Sequence, residues 1–248
     1  MSDYRNNLFK HYVSTFKYAE CSTPVVPSSA WRYFEQKYYG HIRHLSSDAP
    51  ILEVGCGPGV LLACLKQKGF LCIQGIDISQ EQIELAKLRD LPVNCADVFE
   101  FLANKVEAFD AVIAVDFIEH FTKEEALSLL ALLYRALRKD GVLLVQTPNG
   151  QGLFASQIIY GDLTHCTIFT PGSLSQALRL VGFGQIVFGE TGPIPKNLQG
   201  VFRVVIWKLI KGVLNFARMV EAGKRQQVWT ENLICASRKI DTPKLGHE

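Results

Sequence analysis

Two short segments restrict what this chain can fold into more than any others: Ile51-Leu-Glu-Val-Gly-Cys-Gly-Pro-Gly59 and, a strand's length later, Gly75-Ile-Asp77. Ile51, Leu52 and Val54 form an apolar run suited to a central parallel strand, and Gly55, Gly57 and Gly59 open a turn into a helix starting near Val60. Glycines admit φ > 0 and let a ligand approach the backbone closely. Unpaired N–H groups and the positive dipole end of the next helix favour a ligand carboxylate or phosphate. Phe70 to Ile76 reads as a second strand, with Asp77 at its carboxyl end about 20 residues past the turn, where an acid accepts hydrogen bonds from two ribose hydroxyls. Loop and acid together describe a nucleoside-binding corner of an α/β sheet.

Two ligand classes use such a corner. A dinucleotide needs G-x-G-x-x-G to bring backbone up to a pyrophosphate, whereas here the pattern is G-x-G-x-G, with Val60 where the last glycine of that fingerprint would stand. Glu53, two residues before the first glycine, would repel a pyrophosphate and suits a ligand with an ammonium group. The charges favour an adenosine ligand that carries an ammonium and a carboxylate and no phosphate.

The chain resembles the class I S-adenosylmethionine-dependent methyltransferases. Glu53-Val-Gly-Cys-Gly-Pro-Gly59 is similar to the first motif of that family, Gly75-Ile-Asp77-Ile-Ser to the second, Cys95-Ala-Asp97-Val98 to the third, and Phe109-Asp-Ala-Val-Ile-Ala-Val-Asp116-Phe-Ile-Glu119-His120 to the fourth. Leu137-Arg-Lys-Asp-Gly141-Val-Leu-Leu-Val-Gln-Thr-Pro-Asn149 resembles the turn and fifth strand that follow. The likeness spans roughly residues 45 to 190, and five matches in order are hard to obtain by chance. The Glu-His and Thr-Pro-Asn endings resemble the branch holding ubiquinone-type O-methyltransferases and bacterial enzymes that modify sugars, lipids or secondary metabolites. The resemblance implies a Rossmann-like, seven-stranded, mostly parallel sheet with helices on both faces and an antiparallel terminal hairpin, and S-adenosylmethionine as cofactor.

At 248 residues, 48% hydrophobic and 20% charged, the chain can bury a sizeable core, and a net charge of +2 makes no electrostatic case for nucleic acid. The seven cysteines, Cys21, Cys56, Cys64, Cys72, Cys95, Cys166 and Cys235, are odd in number and never spaced C-x-x-C, so they read as buried reduced thiols. The N-terminus lacks a signal-peptide core and no apolar run is long enough to span a bilayer, so a cytoplasmic protein is expected.

Residues 1–48 read as a helical cap rich in aromatics (Phe9, Tyr12, Phe16, Tyr18, Trp31, Tyr33, Phe34, Tyr38, Tyr39), broken by the segment from Pro24 to Ser29. Residues 49–190 form the α/β core, with strands near 50–55, 71–76, 92–95, 109–115, 141–147 and 184–189. Helices are expected near 60–68, 80–89, 98–104 and 123–138, and another from Pro171 to Gly182. Residues 229–248 hold a last strand, Trp229 to Ser237, and a tail. Between them, 191–228 is an amphipathic insertion. From Val201 to Val220 apolar residues surround most of a helical wheel, while Arg203, Lys208, Lys211, Asn215 and Arg218 share an arc of roughly 140° at 100° per residue. A lid or homodimer helix, a helix lying peripherally on a membrane, and a crossover core helix are its three readings.

Methyl transfer, which the resemblance implies, is an in-line displacement at an activated carbon, so the protein mainly aligns the acceptor and deprotonates it. His165 and His120 lie on loops at the carboxyl ends of strands and are the candidate bases. Glu53, Gly55, Cys56, Gly57, Gly59, Asp77, Ile78, Asp97, Val98, Asp116 and Phe117 are the expected cofactor contacts. Asp77 is assigned to the ribose, and Asp97 with the Val98 N–H to the adenine edge, or else to a helix cap. Ile78 is assigned to the adenine face, Asp116 and Phe117 to the methionine end. No resident metal is expected; the one donor set that would change this is Asp116, Glu119 and His120. The acceptor is read as a small molecule, glycan or lipid-linked precursor methylated on oxygen. A nitrogen acceptor, a nicotinamide-dependent reductase and a non-catalytic cofactor-binding scaffold are the alternatives.

Overall fold

The run Ile51 to Val54 becomes a strand whose four residues are all buried, Glu53 among them, because helices cover both sides of the sheet it belongs to. The computed structural model describes residues 8–9 and 25–240. Along the described chain, helices α1 (Ser28–Lys37) and α2 (Tyr39–Ile42) precede β1 (Ile51–Val54), α3 (Val60–Lys68), β2 (Ile73–Asp77), α4 (Gln80–Lys87), β3 (Val93–Cys95), α5 (Val98–Leu102) and β4 (Phe109–Val115). A 3-10 turn (Ile118–His120) leads to α6 (Lys123–Ala136), β5 (Leu137–Pro148), α7 (Ser156–Gly161), α8 (Pro171–Val181), β6 (Phe183–Glu190), α9 (Leu198–Ala222) and β7 (Asn232–Lys239). The seven strands lie in the order β3-β2-β1-β4-β5-β7-β6. The first five are parallel, and β7 runs antiparallel to both β5 and β6. This is the Rossmann-like sheet with a terminal hairpin that the motifs implied.

Alternation along the strands builds two cores. Leu52, Val54, Val112, Ala114, Leu143 and Val145 point to one face, where α5, α6 and α8 cover them with Leu102, Leu129, Leu133, Leu174 and Leu178. Ile51, Ala111, Ile113, Val142 and Leu144 point to the other, under Phe34 and Ile42 of the cap and Leu62, Leu65 and Ile83 of α3 and α4. Each fully buried leucine contributes about 1.5–3 kcal/mol by leaving water.

Helix α3 begins after Gly59 and stops at Gly69, both left-handed, and α8 carries Pro171 in its first turn under a Thr170–Ser173 capping box. Three elements differ from the sequence expectation. β5 starts at Leu137, four residues early, because Leu137 pairs with Phe109 before the register shifts. β7 starts at Asn232 and not at Trp229, whose indole N–H turns back to donate to the Gln226 carbonyl. The 149–169 stretch contains a short helix, α7. Cys72, Cys95 and Cys166 are exposed, so among the described cysteines only Cys56, Cys64 and Cys235 fit the expectation of buried thiols. Tyr12, Phe16, Tyr18, Cys21, Pro24 and residues 241–248 lie outside the described residues.

Gly75 shows how tightly the first two βα units mesh: a Cβ there would collide with Leu62 and come within 2.9 Å of the Cys56 sulfur. Gly75→Ala is expected to destabilise the protein by about 1–3 kcal/mol through overpacking, read as a lower urea midpoint with an unchanged slope.

Candidate active site

The carboxyl ends of β1 to β5 open onto one cavity of about 1060 Å³. Of the residues expected to contact a cofactor, Glu53, Gly55, Cys56, Gly57, Asp77, Ile78, Asp97, Val98, Asp116 and Phe117 all line it. Gly59 does not; at φ +77° it starts α3 and faces Leu91 and Ala86.

Glu53 is held beneath the glycine loop with Oε2 buried and without a hydrogen-bond partner. Burial pushes its carboxyl well above the usual range, and the neighbouring Asp77 charge adds to this. A cation arriving beside it would reverse that cost. Gly57, at φ +52°, turns bare backbone to the cavity, with no atom closer than 3.9 Å to where a Cβ would stand. The Asp77 carboxylate accepts the Gly57 N–H at 2.9 Å through Oδ2 and the Ser79 N–H at 2.8 Å through Oδ1. It therefore braces the glycine loop and still has lone pairs for a ligand. Ile78 is 37% exposed on the cavity wall. Asp97 caps α5, its Oδ1 accepting from Phe99 N at 2.8 Å and Glu100 N at 3.2 Å, so the helix-cap alternative describes that oxygen. The Phe117 ring lies over Gly55, where any Cβ would strike it, and packs edge-on to Phe121.

Asp116 follows β4 with φ +48°, its N–H bonded to the Gln146 carbonyl at 2.9 Å. Both its carboxylate oxygens accept from the Gln146 side-chain amide, at 3.0 and 3.1 Å. The other end of that amide accepts from Tyr33 at 2.6 Å and Tyr38 at 2.7 Å. Burial raises both phenols, which stay protonated donors. Gln146 thus joins the cap helices to the end of β4. It was not singled out from the sequence, although a lone amide in the apolar run Val142 to Val145 was the available signal.

His120 and His165 come together, ring centroids 5.1 Å apart, and the Phe9 ring stands edge-on to His120 at 5.5 Å. The Thr164 hydroxyl lies 2.5 Å from Asp162 Oδ1 and 2.8 Å from His120 Nδ1. A carboxylate can only accept, so the hydroxyl donates to Asp162 and accepts from an Nδ1–H. Burial and the facing His165 push His120 down to about 4. His165 Nδ1 reaches the Ile159 carbonyl at 3.2 Å, which assigns its proton in the same way. Its Nε2 lies 4.0 Å from Glu119 Oε1. Burial holds the Glu119 carboxyl well above its ordinary value, and its Oε2 accepts from Thr147 at 2.9 Å. Among the described residues the donors able to surround a cation are Glu119, His120 and His165, within 4.8 Å of one another. The set expected from sequence was different: Asp116 is turned to Gln146, and His165 takes its place.

A model of the methyltransferase domain matches residues 31–186. The chain belongs to the methyltransferase-domain family. Within it, this methyltransferase falls in the class I, S-adenosylmethionine-dependent group. It is 33% identical over 104 residues to a ubiquinone biosynthesis O-methyltransferase of Bartonella quintana, covering 40% of this chain and 41% of that protein. With the one from Rhodopseudomonas palustris it shares 31% over 176 residues, covering 63% and 67%. The methyltransferase thus spans less than half the length of the Bartonella protein. An S-adenosylmethionine-dependent methyltransferase from Archaeoglobus fulgidus superposes with TM-score 0.65 at 21% identity, covering 96% of this chain and all of that one. The same fold also houses a [4+2]-cyclase, at TM-score 0.56 and 19% identity over 86% of this chain and 80% of that one. Fold alone therefore does not name the reaction. The residues present fit S-adenosylmethionine: Glu53 would meet its ammonium, the Gly55–Gly57 backbone its carboxylate, and Asp77 its ribose.

His120 generates a pH prediction. Its folded-state value near 4 lies below the ordinary 6.5, so from about pH 6.5 down to 4 the unfolded chain takes up a proton that the folded one does not. Its contribution is complete above pH 6.5 and lost across that window, by up to about 3 kcal/mol. Urea unfolding at pH 7 and pH 4.5 should show this loss in the parent and its absence in His120→Gln. For the amide node, Gln146→Leu removes the acceptor shared by the two phenols Tyr33 and Tyr38, and a loss of about 1–3 kcal/mol is expected in the same assay.

Proposed function

We propose that the protein transfers the methyl group of S-adenosylmethionine to a hydroxyl oxygen of a small-molecule, glycan or lipid-linked acceptor. The observation that carries this reading is the polarity of the cavity. At one end is the buried Glu53 carboxyl, whose Oε2 has no hydrogen-bond partner, and at the other are two imidazoles held through Nδ1, His120 by the Thr164 hydroxyl and His165 by the Ile159 carbonyl. One end suits an ammonium and the other a proton to be removed.

When bound, the cofactor supplies a methyl carbon activated by its sulfonium, and the chain's own groups do the rest. Asp77 and the Gly57 backbone hold the nucleoside, while Phe117 and Asp116 border the methionine end. The acceptor enters under Phe9, Tyr33 and Tyr38, whose rings exclude water. His165 or His120 takes the hydroxyl proton on Nε2, the latter with Asp162 behind it through Thr164 as orienting group. The O-methyltransferases among the relatives support oxygen as the acceptor atom. The helical cap and the 191–228 insertion are the parts of the chain that select the acceptor, around a core of residues 49–190.

Calorimetry with S-adenosylhomocysteine, followed by a screen of hydroxylated acceptors for its release, tests the reading. Asp77→Ala should weaken binding by about 1–3 kcal/mol. Replacing the true base by Ala should lower turnover about 10²-fold or more with cofactor affinity intact. Amines methylated in place of alcohols, with turnover indifferent to both histidines, would move the assignment to nitrogen; binding of NAD in place of S-adenosylhomocysteine would end it.

A further inference from the structure

Helix α9 carries its amphipathicity inside out. The sequence places its polar residues on one arc, and the structure turns much of that arc toward the protein. Lys211 pairs with Glu190 Oε2 at 2.5 Å, Asn215 Oδ1 accepts the Gln226 N–H at 2.8 Å, and Gly200 is its one buried residue. The apolar arc faces outward: Phe202 is 66%, Leu209 62%, Val213 70% and Phe216 71% exposed. At 100° per residue this arc covers about half the wheel and holds no charge. The crossover-core reading is thereby excluded, since a core helix would bury this face. So large a continuous apolar strip marks an interaction surface.

The rim says what covers it. Arg203 and Lys208 flank the strip, and Lys224 and Arg225 follow its end, with none of them in an ion pair among the described residues. The one acid on the helix itself, Glu221, is engaged by Arg218 at 2.7 Å. A second copy packed through this strip would bring cationic rims together with no acid on the face to answer them. An anionic surface with an apolar interior answers both features. Along one flank of the helix a groove of about 480 Å³, lined by Phe154, Phe202, Ile206, Trp207, Ile210 and Trp229, runs to Thr191–Pro193 and Thr230–Glu231. Those segments adjoin Ile194 and Asn232 on the wall of the cofactor cavity. Among the described residues no helix is long and apolar enough to cross a membrane.

We propose that α9 lies in the interface of an anionic bilayer, its apolar arc immersed and its cations at the headgroups, and that the groove along its flank leads a membrane-resident acceptor to the site. The second clause rests on the methyl-transfer reading; the first does not. In flotation, the full chain is expected to rise with phosphatidylglycerol-containing vesicles at low salt and far less with phosphatidylcholine alone. Val213→Asp with Phe216→Asp should cut partitioning at least about tenfold, and Arg203→Glu with Lys208→Glu by a similar factor, each cation being worth about fivefold. Both double variants alter exposed side chains, so thermal midpoint and S-adenosylhomocysteine affinity should stay at parental values. Absence of flotation by the parent at low salt overturns the proposal. So does a dimer in sedimentation that Phe216→Asp dissociates, which assigns the face to a second copy. Absence of S-adenosylhomocysteine binding by the parent with flotation intact strikes the methyl-transfer reading and the second clause alone.

Discussion

A single carboxylate holds the ligand-facing ends of β1 and β2 in one piece. Asp77 accepts the Gly57 N–H across 20 residues of chain and the Ser79 N–H from its own corner, so the loop after β1 and the turn after β2 cannot move independently. The glycine loop needs that brace because its left-handed residues are conformationally costly to order. Gly75, two residues before the acid, admits the close approach of Leu62 and Cys56 that sets the distance. Remove this junction and the cavity loses the wall on which Glu53, Ile78 and Asp97 depend for their relative positions.

The second junction, Gln146, works at longer range. Its amide links the cap phenols, one half-buried and one buried, to the exposed Asp116, so α1 is registered against the end of β4 by hydrogen bonds. In a low-dielectric setting such a chain is costly to satisfy in part. The cap is therefore seated by directional polar contacts as well as by Phe34 and Ile42 in the core, and Lys37 adds a bond to the Glu190 carbonyl.

Much of this was legible in the sequence where a residue's local chemistry decides its conformation. Helix α3 is bounded by Gly59 and Gly69, and α8 by Pro171 and Gly182, so their limits follow from backbone preference alone. The nucleoside corner was legible because strand, turn and acid lie within one βαβ stretch of fewer than 30 residues. What escaped depends on partners far along the chain. β5 starts early because Phe109 offers it a pairing. His165 joins His120 only because Cys166 and Thr167 donate to the Glu119 carbonyl and draw the loop over the 3-10 turn. For α9 the wheel identified which residues share a face and could not say which face turns inward. Glu190, at the end of a different strand, makes that choice through Lys211.

Where the hairpin closes has a consequence for how such a chain diversifies. Glu190 pairs with Leu233, so the excursion from β6 to β7 leaves and re-enters the sheet at adjacent rungs. Closing such an excursion costs little more as it lengthens, and the ladder beneath it is indifferent to what it contains. That gap is an interchangeable socket: new segments of any length could be grafted there, altering what borders the cavity without disturbing the corner that Asp77 braces.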